Sequence, residues 1–254
     1  MTKDLFDLTG KVALITGGSR GLGRQMALAF AARGADVTVV SRKLDQCQAV
    51  AAEIEALGRR ALPLSCHVGR WDDLATMVEA VYGHFGKVDI LVNNAGLSPL
   101  YPSLDQVSED LFDKVVAINL KGPFRLMGLV APRMQAAGGG AIINISSTAS
   151  QTPSPGSQPY GAAKAGLNSI TRAFAHAYGP QVRVNCIMAG PFLTDISKAW
   201  DMQTFDKRAA RMALQRGGQP EEIVGAALYF ASGASSFTTG AILPVDGGWL
   251  GGDE

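Results

Sequence analysis

Between an apolar stretch, Val12 to Thr16, and a segment of helical composition, Gln25 to Arg33, the chain reads Gly17-Gly18-Ser19-Arg20-Gly21-Leu22-Gly23. This turn constrains the fold more than any other feature. A strand that is apolar almost without a break suits a sheet covered on both faces. Gly17 permits a tight turn out of it. Gly21 lets the backbone approach another group closely, and Gly23 lets the next helix pack close to the sheet.

The rest of the chain repeats this rhythm. Strands are expected at Val12–Thr16, Asp36–Val40, Ala61–Cys66, Val88–Val92, Ala141–Ser146, Val182–Ile187 and Ile242–Val245. Helices are expected at Gln25–Arg33, Leu44–Leu57, Asp72–Phe85, Glu109–Ala137, Tyr160–Tyr178 and Pro220–Ala231. The alternation predicts an α/β, Rossmann-like doubly wound fold: a seven-stranded parallel sheet with helices on both faces, in one domain over 1–254. The long 109–137 helix is expected to kink at Pro123 or Pro132. Pro191 to Gly218 is the least regular stretch and carries Trp200, Met202, Phe205 and Met212. It reads as a mobile substrate lid; a surface helix pair, or a helix buried against another subunit, is the alternative.

Composition removes several function classes. The 23 Lys plus Arg and 22 Asp plus Glu leave a formal net charge of +1, which argues against nucleic acid or an anionic membrane as partner. Charged residues are 18% of the chain, thin against a usual ~25%, so sister subunits are expected to cover part of the surface. Cys47, Cys66 and Cys186 are odd in number and widely spaced, which fits neither a disulfide framework nor a thiolate metal site. His67, His84 and His176 form no metal-binding spacing, and no metal is expected. No run of 18 apolar residues occurs, and Met1 to Asp7 is polar rather than a signal peptide, so a cytoplasmic location is expected.

A glycine turn between a buried strand and a helix is the context of a dinucleotide site, with the pyrophosphate at the helix N-terminus. Gly17, Ser19, Arg20, Gly21, Leu22 and Gly23 are the candidates here. A site for NAD usually places Asp or Glu after the second strand. Here Ser41-Arg42 follows it, and Asp36 lies at the strand's other end. Arg42, with Arg20, can fork onto a 2′-phosphate that a carboxylate would repel. NADP(H) is the expected cofactor; two solvated arginines are the alternative. Asn93-Asn94-Ala95-Gly96 ends strand four beside the same crevice, where Asn93 can tie neighbouring strands.

Tyr160 and Lys164 are four apart, so they share a helix face. A nearby ammonium favours the phenolate, and the pair can exchange a proton with an alcohol or ketone oxygen. Ser146-Ser147 ends strand five, where a hydroxyl can hold a carbonyl while hydride arrives. No G-x-S-x-G elbow surrounds Ser147, which argues against a serine hydrolase.

Together, Thr16-Gly17-x-x-x-Gly21-x-Gly23, Asn93-Asn94-Ala95-Gly96, Asn119, Ser147, Tyr160-x-x-x-Lys164 and the Asn185 stretch resemble the classical short-chain dehydrogenase/reductase family over essentially the whole chain. The likeness is greatest to 3-oxoacyl carrier-protein reductases and to gluconate or sugar-alcohol dehydrogenases. It implies Tyr160 as catalytic acid/base, with Lys164 lowering its pKa and binding the nicotinamide ribose. Ser147 would polarise the reacting oxygen. Asn119 would hold a water linking Lys164 to solvent. Hydride would pass from the B face between nicotinamide C4 and a small-molecule carbonyl or secondary alcohol, without a metal. An NAD-dependent sugar-acid or polyol dehydrogenase, a dehydratase or epimerase on the same fold, and a catalytically silent dinucleotide-binding scaffold are the alternatives.

The resemblance also implies a homotetramer or homodimer. Its surfaces would be 109–137 with 160–178, and 220–231 with 242–250, where Ala226, Ala227, Tyr229, Phe230, Ile242 and Leu243 fit an interface. Three departures stand out. His67 occupies the usual place of an adenine-contacting Asp, with the Val68 backbone beside it. Ala189-Gly190-Pro191 replaces the usual Pro-Gly, while Gly190 and Thr194 keep places suited to the carboxamide or phosphate. Pro153, Pro155 and Pro159 stiffen the wall ahead of Tyr160.

Overall fold

All five residues of β1 (Val12–Thr16) are buried in the computed structural model, which describes residues 4–195, 197 and 200–249. β1 lies between β2 (Asp36–Ser41) and β4 (Ile90–Asn93), parallel to both. The full sheet runs β3-β2-β1-β4-β5-β6-β7, every pairing parallel. Its other strands are β3 (Ala61–Ser65), β5 (Gly140–Ser147), β6 (Val182–Ala189) and β7 (Ile242–Val245). Strand order reverses between β1 and β4, which opens a crevice at their carboxyl ends where ligands of such sheets bind.

Alternate side chains of the central strands feed two cores. Ala13, Ile15, Val37 and Val39 meet Met26 and Phe30 of α1 (Gly21–Ala32), Ile54 of α2 (Leu44–Ala56) and Phe230 of α8 (Val224–Ala231). Leu14, Val40, Leu91 and Ile142 meet Leu74 and Val78 of α3 (Trp71–Phe85) and Leu126 and Val130 of α5 (Gly122–Ala136). Each fully buried aliphatic or aromatic side chain contributes roughly 1.5–3 kcal/mol. The edge strands β3 and β7 each contain a proline, Pro63 and Pro244. A strand edge without a full set of N–H groups is a poor template for further pairing.

The 109–137 stretch is helical throughout, but the break in its regularity is not at a proline. α4 (Glu109–Val116) is capped by Ser108, whose hydroxyl accepts from the Leu111 N–H at 3.2 Å. A π-helical turn, Ala117–Lys121, follows and leads into α5. Pro123 follows directly, as the second residue of α5. A side chain at Gly122 would put its Cβ 2.3 Å from the Val68 carbonyl oxygen, so α5 can pass there only on glycine.

α6 spans Gln158–Tyr178. In the 191–218 region, α7 spans Met202–Ala209. Phe192 bridges to Gly218, so the excursion leaves and returns at one place; Ala209 and Met212 are buried. The interface expectation needs correcting at two positions. Ala227 and Phe230 lie in this chain's own core, because α8 turns that face toward the sheet. Ala226, Tyr229, Ile242 and Leu243 are partly exposed. No helix among the described residues is long and apolar enough to cross a membrane.

Candidate active site

The carboxyl ends of β1 and β4 are sewn together. The Thr16 hydroxyl donates to the Val92 carbonyl at 3.2 Å and accepts from the N–H groups of Asn94 at 3.1 Å and Ala95 at 3.2 Å. The Asn94 amide donates to the carbonyls of Thr16 at 2.9 Å and Gly17 at 3.1 Å. Gly17 has φ +65°, and a Cβ there would lie 2.8 Å from Asn94 Nδ2. A Cβ on Gly23 would lie 2.2 Å from the Gly17 carbonyl oxygen. The N-cap of α1, Arg20, makes no side-chain cap, and the first turn has no acidic residue. Its N–H groups are therefore open to an anion. This cradle fits a pyrophosphate. Ser19 lines the turn, partly buried, and Leu22 packs against the core. Thr194 closes on Gly21 from the other side, 3.5 Å from where its Cβ would be.

At the end of β2, Ser41 bonds its own turn: its hydroxyl donates to the Lys43 carbonyl and lies 3.1 Å from Cys47 Sγ. Arg20 and Arg42 are exposed, and neither has an ion pair among the described residues. Asp36 sits at the opposite end of β2. Burial raises its pKa, but bonds from Arg60 and the charges of Arg59 and Arg60 outweigh this and hold the carboxyl below its usual value.

Ser147, the last residue of β5, accepts from the Ala149 N–H at 3.2 Å. Tyr160 and Lys164 share one face of α6, with Lys164 Nζ 5.6 Å from the centre of the Tyr160 ring. Lys164 is 3% exposed, and its ammonium donates to the Ile145 carbonyl at 2.7 Å. Burial pulls its pKa down to about 8. Burial also raises the Tyr160 phenol above its ordinary value, only partly offset by its hydrogen bond with Ser147. The phenol therefore holds its proton, as a donor to a carbonyl oxygen must; drawing it down needs a further positive charge beside it. Asn119, in the π turn, donates to the carbonyls of Leu97 at 2.8 Å and Val115 at 2.9 Å and accepts from the Leu97 N–H at 3.2 Å. Gly96 lies between: its Cβ would be 3.2 Å from Asn119 Oδ1 and 3.8 Å from Lys164 Nζ. Asn119, Lys164, Tyr160 and Ser147 thus form one group at the sheet's carboxyl edge.

A family described as Enoyl-(Acyl carrier protein) reductase matches residues 17–250. An uncharacterized oxidoreductase of Mycobacterium tuberculosis is 42% identical over 253 residues, 98% of this chain and 95% of the relative. The crystal structure of a short-chain type dehydrogenase/reductase from Mycobacterium marinum has a TM-score of 0.91 at 36% identity, covering 97% of this chain and 98% of that one. The chain belongs to the short-chain dehydrogenase/reductase family. It is accordingly an oxidoreductase of CH–OH and C=O groups that binds a nicotinamide dinucleotide. A 7α-hydroxysteroid dehydrogenase structure with NADH and 7-oxo glycochenodeoxycholic acid also superimposes, with a TM-score of 0.94 at 34% identity over 100% of both chains.

Among short-chain dehydrogenases the departures of this chain now have a physical form. With Ala189 in place of proline, β6 keeps its hydrogen bonding through Ala189, opposite Val245. Gly190 follows because a Cβ there would lie 2.5 Å from Asp246 Cα. His67 turns Nδ1 onto the Gly69 N–H at 3.2 Å, so its own loop fixes the ring, and Val68 is buried beside it. Asn93 is not in the crevice but inside the sheet. It donates to Asn144 Oδ1 at 2.8 Å, and Asn144 donates to the Thr171 hydroxyl at 2.9 Å. Sequence pattern marks Thr16 only as the head of the glycine motif and gives no role to Asn144 or Thr171. The hydroxyl that ends β1 hints at the first pairing; the other two need the register to be seen.

Proposed function

We propose that this oxidoreductase is NADP(H)-dependent and transfers hydride between the nicotinamide C4 and a small-molecule carbonyl or secondary alcohol, with Tyr160 as acid/base. One observation carries the cofactor choice: β2 ends in Ser41-Arg42 with no carboxylate there, and the glycine turn that carries exposed Arg20 is joined to β2 by the Gly18 N–H donating to the Val40 carbonyl at 3.2 Å. Arg20, Ser41 and Arg42 would take the 2′-phosphate. Gly17, Ser19, Gly21, Leu22 and Gly23 would hold the pyrophosphate, His67 and Val68 the adenine, Ala95 and Gly96 the flank of the nicotinamide ribose, with Asn93 tying β4 to β5 behind them. Gly190 and Thr194 would face the carboxamide. When bound, the nicotinamide supplies or accepts the hydride.

In the reducing direction Tyr160 Oη gives its proton to the carbonyl oxygen as the carbon gains hydride, so the product is an alcohol. Ser147 Oγ orients that oxygen. Lys164 holds the ribose and hands a proton to the phenolate, and Asn119 keeps a water path from Lys164 to solvent. In the oxidising direction each transfer reverses. The 191–218 excursion closes over the substrate, in a cytoplasmic homotetramer or homodimer.

The test is equilibrium binding of NADPH and NADH at one fixed ionic strength, to the wild type and to Arg42→Asp. The wild type is expected to prefer NADPH. The variant is expected to lose roughly 100-fold in that preference, the size of one or two charge-assisted bonds replaced by repulsion. Equal affinities in the wild type would return the protein to the NAD-dependent sugar-acid or polyol reading.

A further inference from the structure

The loop after β4 is fastened at two places. Leu97 gives both its N–H and its carbonyl to the Asn119 side chain. Four residues on, the Tyr101 hydroxyl accepts from the N–H of Gln158 at 2.7 Å and donates to the carbonyl of Pro155 at 2.6 Å. Gln158 is the first residue of α6, and its N-cap Ser157 makes no side-chain cap. The start of a helix leaves N–H groups without internal partners. Here the cap comes from across the chain, and it arrives two residues ahead of Tyr160.

We propose that Tyr101 is a positioning residue that sets which carbonyl compounds reach Tyr160; this rests on the reading of Tyr160 as proton donor. Its one hydroxyl ties the loop that begins beside Asn119 and Lys164 to the proline-bearing segment that leads into α6. Pro153 and Pro155 fix φ at two places in that segment and Pro159 at the start of α6, which narrows what the tether has to hold. Leu100, next to Tyr101, is 77% exposed, so no apolar packing of that neighbour replaces the tether. The two fastenings make a span from the lysine side of the site to the tyrosine side, and the substrate must enter past it. With the tether gone, the span opens: small carbonyl compounds are held less well and bulky ones are admitted.

The experiment compares the full-length wild type with Tyr101→Phe, which keeps the ring and removes both bonds. Hydrogen exchange reads the tether without any turnover. The amide of Gln158 is expected to exchange roughly 5-fold faster in the variant, in line with the loss of one hydrogen bond, with β1 and α1 unchanged. NADPH oxidation with diacetyl and with its bulkier analogue phenylpropanedione reads the positioning. KM for diacetyl is expected to rise roughly 5-fold with kcat held within about 2-fold, and phenylpropanedione is expected to gain relative to diacetyl. A Gln158 amide that exchanges as in the wild type overturns the tether. A variant whose kcat falls while the ratio of the two substrates stays fixed overturns the positioning role. A wild type that passes hydride to no carbonyl or from no alcohol instead defeats the Tyr160 reading, and the Gln158 amide tells that failure from the other.

Discussion

The two ends of the site stand on one sheet edge and are built in opposite ways. At Gly17–Gly23 the shape is set by side chains that are missing. A Cβ on Gly23 would collide with the Gly17 carbonyl oxygen, and one on Gly17 with the Asn94 amide. At the chemical end the shape is set by polar side chains that are buried: Lys164, Asn119, Asn144 and Ser146 are all 3% exposed or less. Burying a polar group is costly unless it is paired. Ile145, Leu97, Val115, Thr171 and the Lys164 carbonyl supply those pairings. The pyrophosphate turn is a backbone mould and fails by losing its shape. The chemical end is a charge arrangement and can fail with its shape intact.

The sharpest way to test that contrast is Tyr160→Phe. The ring stays and only the proton carrier goes. Turnover is expected to fall by ~10²–10⁴-fold, the usual worth of a positioned acid/base, with NADPH affinity within about 3-fold of the wild type. Steady-state kinetics and a binding titration check it. A matching loss of cofactor affinity would break the contrast, because Tyr160 would then belong to the mould.

Gly23→Ala is the mirror experiment. One methyl is pushed toward the Gly17 carbonyl oxygen, 2.2 Å away, and the Asn94 side-chain amide nitrogen, 2.5 Å away, and that amide is itself held by the carbonyls of Thr16 and Gly17. A loss of about 1–3 kcal/mol of unfolding free energy is expected from overpacking, with NADPH affinity falling and kcat at saturating cofactor nearly kept. Urea unfolding and the same titration measure it. Unchanged affinity in a stable variant would mean that the turn relaxes, and that the pyrophosphate is held elsewhere.

The same contrast governs what the sequence discloses. The mould is written in glycines, and glycines can be read in order along the chain; β1 falls at the expected residues for the related reason that buried parallel strands are apolar runs. Strand-end logic also places Ser147 and Arg42 without knowledge of any contact. The pairings at the chemical end are different. Asn93, Asn144 and Thr171 meet only through the β4–β5 register and the seating of α6, and no local pattern encodes that. Composition marks the prolines of the 109–137 stretch but not the π turn that carries Asn119. β6 outran its expected end because alanine at 189 keeps the N–H that proline would lack. Tyr101 gave no signal at all, since its partners lie in a segment that becomes its neighbour only when the sheet closes.

Lys164 gives the smallest effect and the one most particular to the chemical end. Burial holds its pKa at about 8, below the usual lysine value. Below pH 8 the folded and unfolded chains both carry the charge, and the fold bears the full cost of keeping it out of water. From pH 8 upward the folded chain sheds its proton while the unfolded chain keeps it until about pH 10.5, so the cost dwindles across that window. Lys164→Met has no such cost at any pH. In cofactor-free protein the wild type should therefore gain stability relative to Lys164→Met between pH 7 and pH 10, by on the order of 1–2 kcal/mol, a size set only by the gap between the folded and unfolded pKa values. Paired urea titrations at the two pH values read the difference. If the gap between the two proteins does not change with pH, the ammonium is not desolvated in the fold. If it closes as expected, the site holds, at a cost in stability, a buried amine that exchanges its proton near neutral pH, and that is the property a phenolate awaiting its proton requires of its neighbour.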